Sequence, residues 1–224
     1  MIELNKIYNC DCRDLMKEII GGGERVDCII TDPPYGIGED GLKNHSRGKL
    51  ASTTKFTPKE WDKQRLSKEF FTLMRECSKN QIIFGGNYYT DYLPPSSCWI
   101  VWDKLNGTND FADCELAWTS FKTAVRKIQY RWSGMLQGDM KHKEKRVHPC
   151  QKPLPVMEWI IEKYTNKDDI ILDCFAGSCT TAVACHRLGR KFICCELDKE
   201  YYEIGVRRLE EAQKQITLFE TLDI

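Results

Sequence analysis

Strands alternating with helices along the chain predict an α/β fold, with a mostly parallel sheet and helices on both faces. Three observations carry this reading. Apolar runs of buried-strand type recur in "VDCIIT" (26–31), "DIILDCF" (169–175) and "KFICCE" (191–196). Segments between such runs have helical spacing, and glycines or acids stand where strand passes to helix. At 224 residues the chain is shorter than the ~250–300 at which one core usually divides, so residues 1–224 are expected to form a single domain.

The elements follow in order. "KIYNCD" (6–11) reads as a short strand, and "CRDLMKEIIGGGER" as a helix stopped by three glycines. After "VDCIIT", "LSKEFFTLMRECSKN" places Phe70, Leu73, Met74 and Cys77 on one helical face. "QIIFGG" (81–86), "CWIVWD" (98–103), "CELAWTSF" (114–121) and "KIQYRW" (127–132) are β-rich runs between turn residues. "LPVMEWIIEKY" is helical, "DIILDCF" a strand, and "TTAVACHRLG" a helix with Gly189 at its stop position. "KFICCE" is the next strand, and Asp198 is placed to cap the helix "DKEYYEIGVRRLEEAQKQ". The tail "ITLFETLDI" carries no assignable signal. Two stretches, 36–62 and 133–153, read as long and irregular, which in a compact domain usually marks function.

Composition narrows the classes. No apolar run approaches the ~18–20 residues of a membrane span. The start "MIELNKIYNCDC" lacks the apolar core of a secretory signal, so a cytoplasmic protein without membrane contact is expected. Twelve cysteines are present but no C-x-x-C, so no metal site is expected. The runs "DCII", "LDCF" and "FICCE" place most thiols among apolar neighbours, as small buried hydrophobes. Net charge is zero, yet residues 122–152 hold nine Lys/Arg against two acids and residues 43–65 seven against two. Both basic segments fall in the irregular stretches, either as solvated loops or as a local footprint for a polyanion.

Two corners carry chemistry. "DCFAGSCTT" (173–181) turns from a strand into a helix through Gly177, and Glu196 ends the following strand. Such a turn admits close approach of a ligand, and such an acid accepts hydrogen bonds from ribose hydroxyls. The pattern is not G-x-G-x-x-G, which favours a nucleoside without a pyrophosphate. In "TDPPYG" (31–36), Asp32 and the Pro33 carbonyl are hydrogen-bond acceptors, Pro34 restricts Pro33 to extended backbone, and Tyr35 offers a flat ring.

Together these stretches resemble the DNA amino-methyltransferases that use S-adenosylmethionine. "DPPYG" resembles their catalytic motif and "DCFAGSCTT" their cofactor motif, usually D-x-F-x-G-S-G-T. "HPCQKP" (148–153) resembles H-P-T-Q-K-P, "NCDCRDLM" the family's start, and "CELDKEYYEIGVRRL" its acidic strand end and helix. The catalytic motif precedes the cofactor motif, which is the order of the β class. The resemblance therefore implies a Rossmann-like class I methyltransferase fold, circularly permuted, with a seven-stranded sheet in the order 3-2-1-4-5-7-6. In that order the strands before Asp32 and before Gly177 are neighbours, and both corners open on one crevice at the switch point.

The resemblance implies transfer of a methyl group to the N6 amine of an adenine flipped out of double-stranded DNA. Asp32, Pro33, Pro34 and Tyr35 would hold the base. Asp11 and Cys12 would border the cofactor's adenine and Glu196 its ribose. Phe175, Ala176, Gly177 and Ser178 would wrap its methionine end, with Lys152 at its carboxylate and Asp173 also among the cofactor-binding residues. Asp11 also reads as a helix cap and Lys152 as a solvated loop charge. Where the family has a second glycine this chain has Cys179, strained if the position needs positive φ and harmless if it lies in the first helical turn, the reading favoured here. The interval 133–147 is too short for a separate target-recognition domain. Recognition then falls to that loop, to 36–62, or to a second subunit of a homodimer, with Lys43, Arg47, Lys141, Lys143, Lys145 and Arg146 as phosphate contacts. Cytosine-N4 methylation is the nearest alternative, but the family's cytosine enzymes usually begin the tetrapeptide with serine. A catalytically inactive DNA-binding relative is the alternative from another class.

Overall fold

The computed structural model describes residues 2–38, 59, 61–107, 112–133 and 136–222, with side chains through residue 215. Of the expected DNA contacts, Lys43 and Arg47 lie outside the described residues.

The chain runs β1 (Lys6–Tyr8), α1 (Cys12–Gly21), β2 (Val26–Thr31), α2 (Lys68–Cys77), β3 (Ser78–Phe84), β4 (Trp99–Asp103), β5 (Cys114–Thr119) and β6 (Arg126–Gln129). It continues through β7 (Trp132–Ser133), β8 (Leu136–Gln137), α3 (Leu154–Tyr164), β9 (Ile170–Asp173), α4 (Thr180–Arg187), β10 (Lys191–Cys195) and α5 (Lys199–Leu222). The large sheet has the order β1-β10-β9-β2-β3-β5-β4-β6. Its first seven strands reproduce the expected class I order, with β5 antiparallel to both neighbours.

The sheet has eight strands rather than seven. Residues 126–129 add β6 in parallel to the far edge of β4, from Ile100↔Arg126 to Asp103↔Gln129. Asp103 holds the new strand there, accepting from Gln129 Nε2 at 3.0 Å and facing Lys127 Nζ at 3.3 Å.

Period-two patterning puts a core on each face of the sheet. Cys28 and Ile30 of β2, Ile82 and Phe84 of β3, and Phe192 and Cys194 of β10 face the layer of α3, α4 and α5. Ile29, Ile83, Ile193 and Cys195 face α1 and α2. α1 buries Cys12, Leu15, Met16 and Ile19 at helical spacing. In α2 the buried stripe is Phe71, Met74 and Cys77, so Phe71 takes the core position expected of Phe70. Phe70 turns instead toward Phe175, ring centroids 6.0 Å apart. Nine of the twelve cysteines are buried and all are free thiols.

One loop expectation changes, and the unassigned tail gains a structure. The stretch 133–153 contains the hairpin β7–β8, closed where Gln137 Nε2 donates to the Glu144 carbonyl and Glu144 N–H donates to Gln137 Oε1, each at 2.8 Å. Glu144 Oε1 then accepts from Leu154 N–H at 2.8 Å, capping α3. The tail is helical to Leu222, continuing the helix that Asp198 opens by accepting from the amides of Glu200 and Tyr201.

β9 and β2 are adjacent and parallel, with Cys28↔Ile171 and Ile29↔Leu172. Their C-terminal ends carry the two corners, and the connections leave in opposite directions.

Candidate active site

A cavity of about 1250 Å³ opens above those strand ends. Its walls include Asp32, Pro33, Pro34 and Tyr35 from the first corner and Asp173, Phe175, Ala176, Gly177, Ser178 and Glu196 from the second. Asp11, Cys12, Lys152 and Arg146 line it as well. The expected convergence of Gly177 and Asp32 on one crevice is therefore the observed arrangement. The mixed apolar and polar lining is that of a small-molecule site, and the volume exceeds the ~300–1,000 Å³ usual for one small ligand.

The Asp32 corner is fixed from several sides. β2 ends at Thr31, whose Oγ1 donates to Asp173 Oδ1 at 2.8 Å across the β2–β9 seam. The Tyr89 hydroxyl donates to the Pro34 carbonyl, and the Gly36 amide donates to Asp62 Oδ1 at 2.8 Å. The Tyr35 hydroxyl donates to Asp32 Oδ1. The Tyr35 ring stacks on Tyr88, centroids 4.8 Å apart and planes 15° from parallel. Gly85, at φ +64°, lies where a Cβ would overlap the Tyr35 ring, so glycine is required there. The expected stacking of Tyr35 on a base meets a ring with one face already covered by Tyr88.

Lys152, expected at the cofactor's carboxylate, is buried in the cavity wall beside Asp32. Its ammonium donates to Asp32 Oδ2 and lies 3.2 Å from Glu115 Oε2. Glu115 Oε1 is in turn 2.6 Å from Lys104 Nζ. Burial works against the charges of Asp32, Glu115 and Lys152. It raises the Asp32 carboxyl, with Lys152 pulling the other way. For Glu115 the two lysines prevail over burial and hold its carboxyl at about 2. For Lys152 the two carboxylates prevail and raise its pKa. Sequence reasoning missed Glu115, since one acid in the strand pattern of "CELAWT" carries no local signal.

The second corner is built around Asp173. Its carboxylate accepts from Thr31, from Thr181 Oγ1 at 2.5 Å and from Phe175 N–H at 3.1 Å. Burial nevertheless raises its carboxyl to about 6. Asp173 thus braces the turn, beyond lining the cavity as expected. Gly177 has φ +51°, and its amide donates to Glu196 Oε2 at 2.7 Å. Glu196 Oε1 accepts from Asp198 N–H at 2.8 Å, while burial pushes the carboxyl up to about 7.

Cys179 overturns the favoured expectation: it precedes the first helical turn and has φ +58°. Its thiol is fully buried against Gly205 of α5, where a Cβ would overlap the sulfur. The missing side chain at 205 makes room for the extra one at 179.

Asp11 is the helix cap that one of its readings expects, and its side of the cavity is the one the other reading needs. It caps α1 by accepting from Arg13 N–H at 2.9 Å, and it lines the cavity beside Cys12. Phe70, Phe175 and Leu197 add apolar surface at that end. His148 was also missed, although it opens "HPCQKP". Its Nδ1 accepts from Cys150 N–H at 3.1 Å, which puts the ring proton on Nε2, the atom facing Gly177. Burial, with Lys152 and Arg146 nearby, lowers its pKa to about 3 and keeps it neutral.

Of the basic side chains in 141–146, Lys141, Lys143 and Lys145 are exposed. Arg146 turns inward, donating to the Pro149 carbonyl and lining the cavity. Among the described residues no group of His, Cys, Asp and Glu is arranged to hold a metal ion, and no helix is long and apolar enough to cross a membrane.

The family model described as DNA methylase matches residues 92–207. The chain is similar to the type II methyltransferase M1.MboII of Moraxella bovis, 27% identical over 90% of this chain and 95% of the relative. It is also similar to the DNA adenine methyltransferase YhdJ of Escherichia coli (strain K12), 48% identical over 65 residues, 29% of this chain and 22% of the relative. Among solved structures, M1.HpyAVI in complex with SAM superposes with a TM-score of 0.58 at 27% identity, covering 91% of this chain and 99% of that one.

Proposed function

The chain belongs to the DNA methylase family, and from that membership we propose that it methylates the N6 amine of an adenine flipped out of double-stranded DNA. It is a DNA amino-methyltransferase of the β class, and its cofactor is S-adenosylmethionine. The reading rests on one observation: the Asp32 corner and the Gly177 turn, far apart in sequence, are walls of the same cavity.

The residues present fit the cofactor. Gly177 turns the chain at positive φ in the cavity wall, and Glu196 places a carboxylate beside it. Trp61 and Trp132 line the cavity, and each has a buried indole N–H without a hydrogen-bond partner among the described residues. Glu196 would hold the ribose hydroxyls; Asp11, Cys12, Phe70 and Phe175 would surround the adenine; and the turn from Phe175 to Ser178 would hold the methionine end. When bound, the cofactor supplies an electrophilic methyl group on a positively charged sulfur.

The protein's part is to position and desolvate the target amine. An exocyclic amine is a weak nucleophile because its lone pair is delocalised into the ring. Asp32 and the Pro33 carbonyl would accept its two hydrogens, favouring a pyramidal nitrogen with its lone pair aimed across the cavity. Ionised Asp32 is the stronger acceptor and a place for the proton that the amine gives up. Flipping a base out of the duplex costs a few kcal/mol, offset by about 1–3 kcal/mol of stacking on an aromatic ring. Tyr88, stacked on Tyr35 and still partly exposed, supplies the outer face.

The adenine reading is supported by Asp32 at the head of the tetrapeptide. Its test is incubation with labelled S-adenosylmethionine and duplexes containing or lacking adenine, followed by nucleoside analysis. Label on N6-methyladenine is the expected result. Label on N4-methylcytosine would overturn the choice of base, and no label on DNA would leave an inactive relative.

A further inference from the structure

We propose that Lys152 and Glu115 are positioning residues for Asp32: Glu115 anchors the Lys152 ammonium, which holds the Asp32 carboxylate ionised and aimed at the target amine. The inference rests on the methyl-transfer reading of the cavity and assigns Lys152 to the acceptor side of the reaction rather than to the cofactor.

The argument begins with geometry. Four charged side chains of alternating sign form one row, Asp32–Lys152–Glu115–Lys104. Lys152 comes from the loop before α3, Asp32 from the end of β2 and Glu115 from β5. Glu115 is held by the sheet itself, opposite Trp102 of β4. The Lys152 side chain is only 10% exposed and its ammonium also lies 5.0 Å from the centre of the Phe84 ring. Such an ammonium has little water around it and depends on its two carboxylates.

An isolated carboxyl in the Asp32 position would be protonated by desolvation. Lys152 contacts Oδ2 and the Tyr35 hydroxyl contacts Oδ1, which sets the plane of the carboxylate. Each oxygen keeps a further lone pair for the substrate. Around this group the other titratable neighbours are Glu115, the Tyr89 hydroxyl and Asp173. Cys150 and His148 stand beside Lys152. Lys152 is the one cation in contact with Asp32 among the described residues, so the charge state of Asp32 follows it.

Single-turnover methyl transfer at saturating cofactor, measured against pH, tests this alongside calorimetric titration with S-adenosylmethionine. Lys152→Met is expected to move the acid limb of the rate profile up by about one to three pH units. It should lower transfer at neutral pH by about 10²-fold or more, with the cofactor Kd within about threefold of the unchanged enzyme. Glu115→Gln should slow transfer about tenfold alone but cause no further loss in the Lys152→Met background, where Glu115 no longer anchors a lysine and its charge only opposes that of Asp32. A cofactor Kd weakened tenfold with saturated transfer unchanged would return Lys152 to the cofactor's carboxylate and overturn the proposal. An equal loss from Glu115→Gln in both backgrounds would overturn its second half. Should Lys152→Met fail to fold in thermal melting, Lys152→Arg and Glu115→Gln decide the matter. The arginine variant should keep its acid limb within about half a unit, and the glutamine variant should lose rate rather than cofactor affinity; the reverse in either sinks the assignment. Unchanged enzyme that transfers no methyl to DNA would instead refute the functional reading, so the two failures are distinguishable.

Discussion

Glu196 titrates where a cell can reach it. Its carboxyl is raised to about 7 by burial, and its ionised form accepts the amides of Gly177 and Asp198. If ribose hydroxyls donate to the same carboxylate, binding selects the ionised form. Cofactor affinity should then be full above pH 7 and fall toward tenfold per unit below it. Titration calorimetry from pH 5.5 to 8.5 would reveal this slope, and Glu196→Gln should flatten it while weakening binding. Asp32 separates the two halves of the site. Asp32→Ala should reduce transfer by about 10²–10³-fold or more with cofactor binding nearly unchanged, read by labelled-methyl incorporation and calorimetry; equal loss of both would mean the residue serves the cofactor. Asp32 and Gly177 were legible in the sequence because each stands in a local pattern of strand, turn and special residue. Glu115 was not, because its role comes from a lysine 37 positions later (152 less 115) that only the fold brings within 3.2 Å.

At the scale of elements, the α4–α5 contact contains a paired exchange of side chains. Cys179 takes a left-handed backbone conformation that costs an ordinary residue about 1–2 kcal/mol, and its sulfur occupies the space above Gly205. Gly205→Ala should therefore lower stability by about 1–3 kcal/mol through overpacking. In a Cys179→Gly background the same alanine should be accepted with little loss. Chemical denaturation of the four proteins would measure the coupling, and additive losses would contradict it. The sequence named Cys179 as a departure but not its conformation, since φ at a helix start depends on whether the first turn begins one residue earlier or later. The same limit explains α2. Phe70 and Phe71 satisfy a helical stripe almost equally, and the cavity wall, invisible to periodicity, draws Phe70 away.

For the whole molecule, charge is neutral in sum and uneven in place. Lys141, Lys143 and Lys145 are exposed on the segment after β8, whereas Arg146 is folded into the cavity wall. Alanine at the three lysines should reduce the salt slope of DNA affinity by about 0.9 for each phosphate no longer neutralised, with cofactor binding unaffected. Fluorescence anisotropy across a salt series would give the slope, and no change would exclude this segment from the footprint. The sheet order was legible because motif order specified the permutation. The eighth strand was not assigned to the sheet, since a run such as "RKIQ" becomes an edge strand only when β4 offers it a free side.

The seam between β2 and β9 joins residues 28 and 171. During synthesis, β2 emerges 143 residues (171 less 28) before the strand that will flank it. At ~5–20 residues per second this interval lasts roughly 7–29 seconds. Throughout it, Ile29 and Ile30 belong to a strand edge still awaiting its neighbour. That edge of β2, and with it the wall that Asp173 and Gly177 give the cavity, is therefore completed only after β9 has emerged.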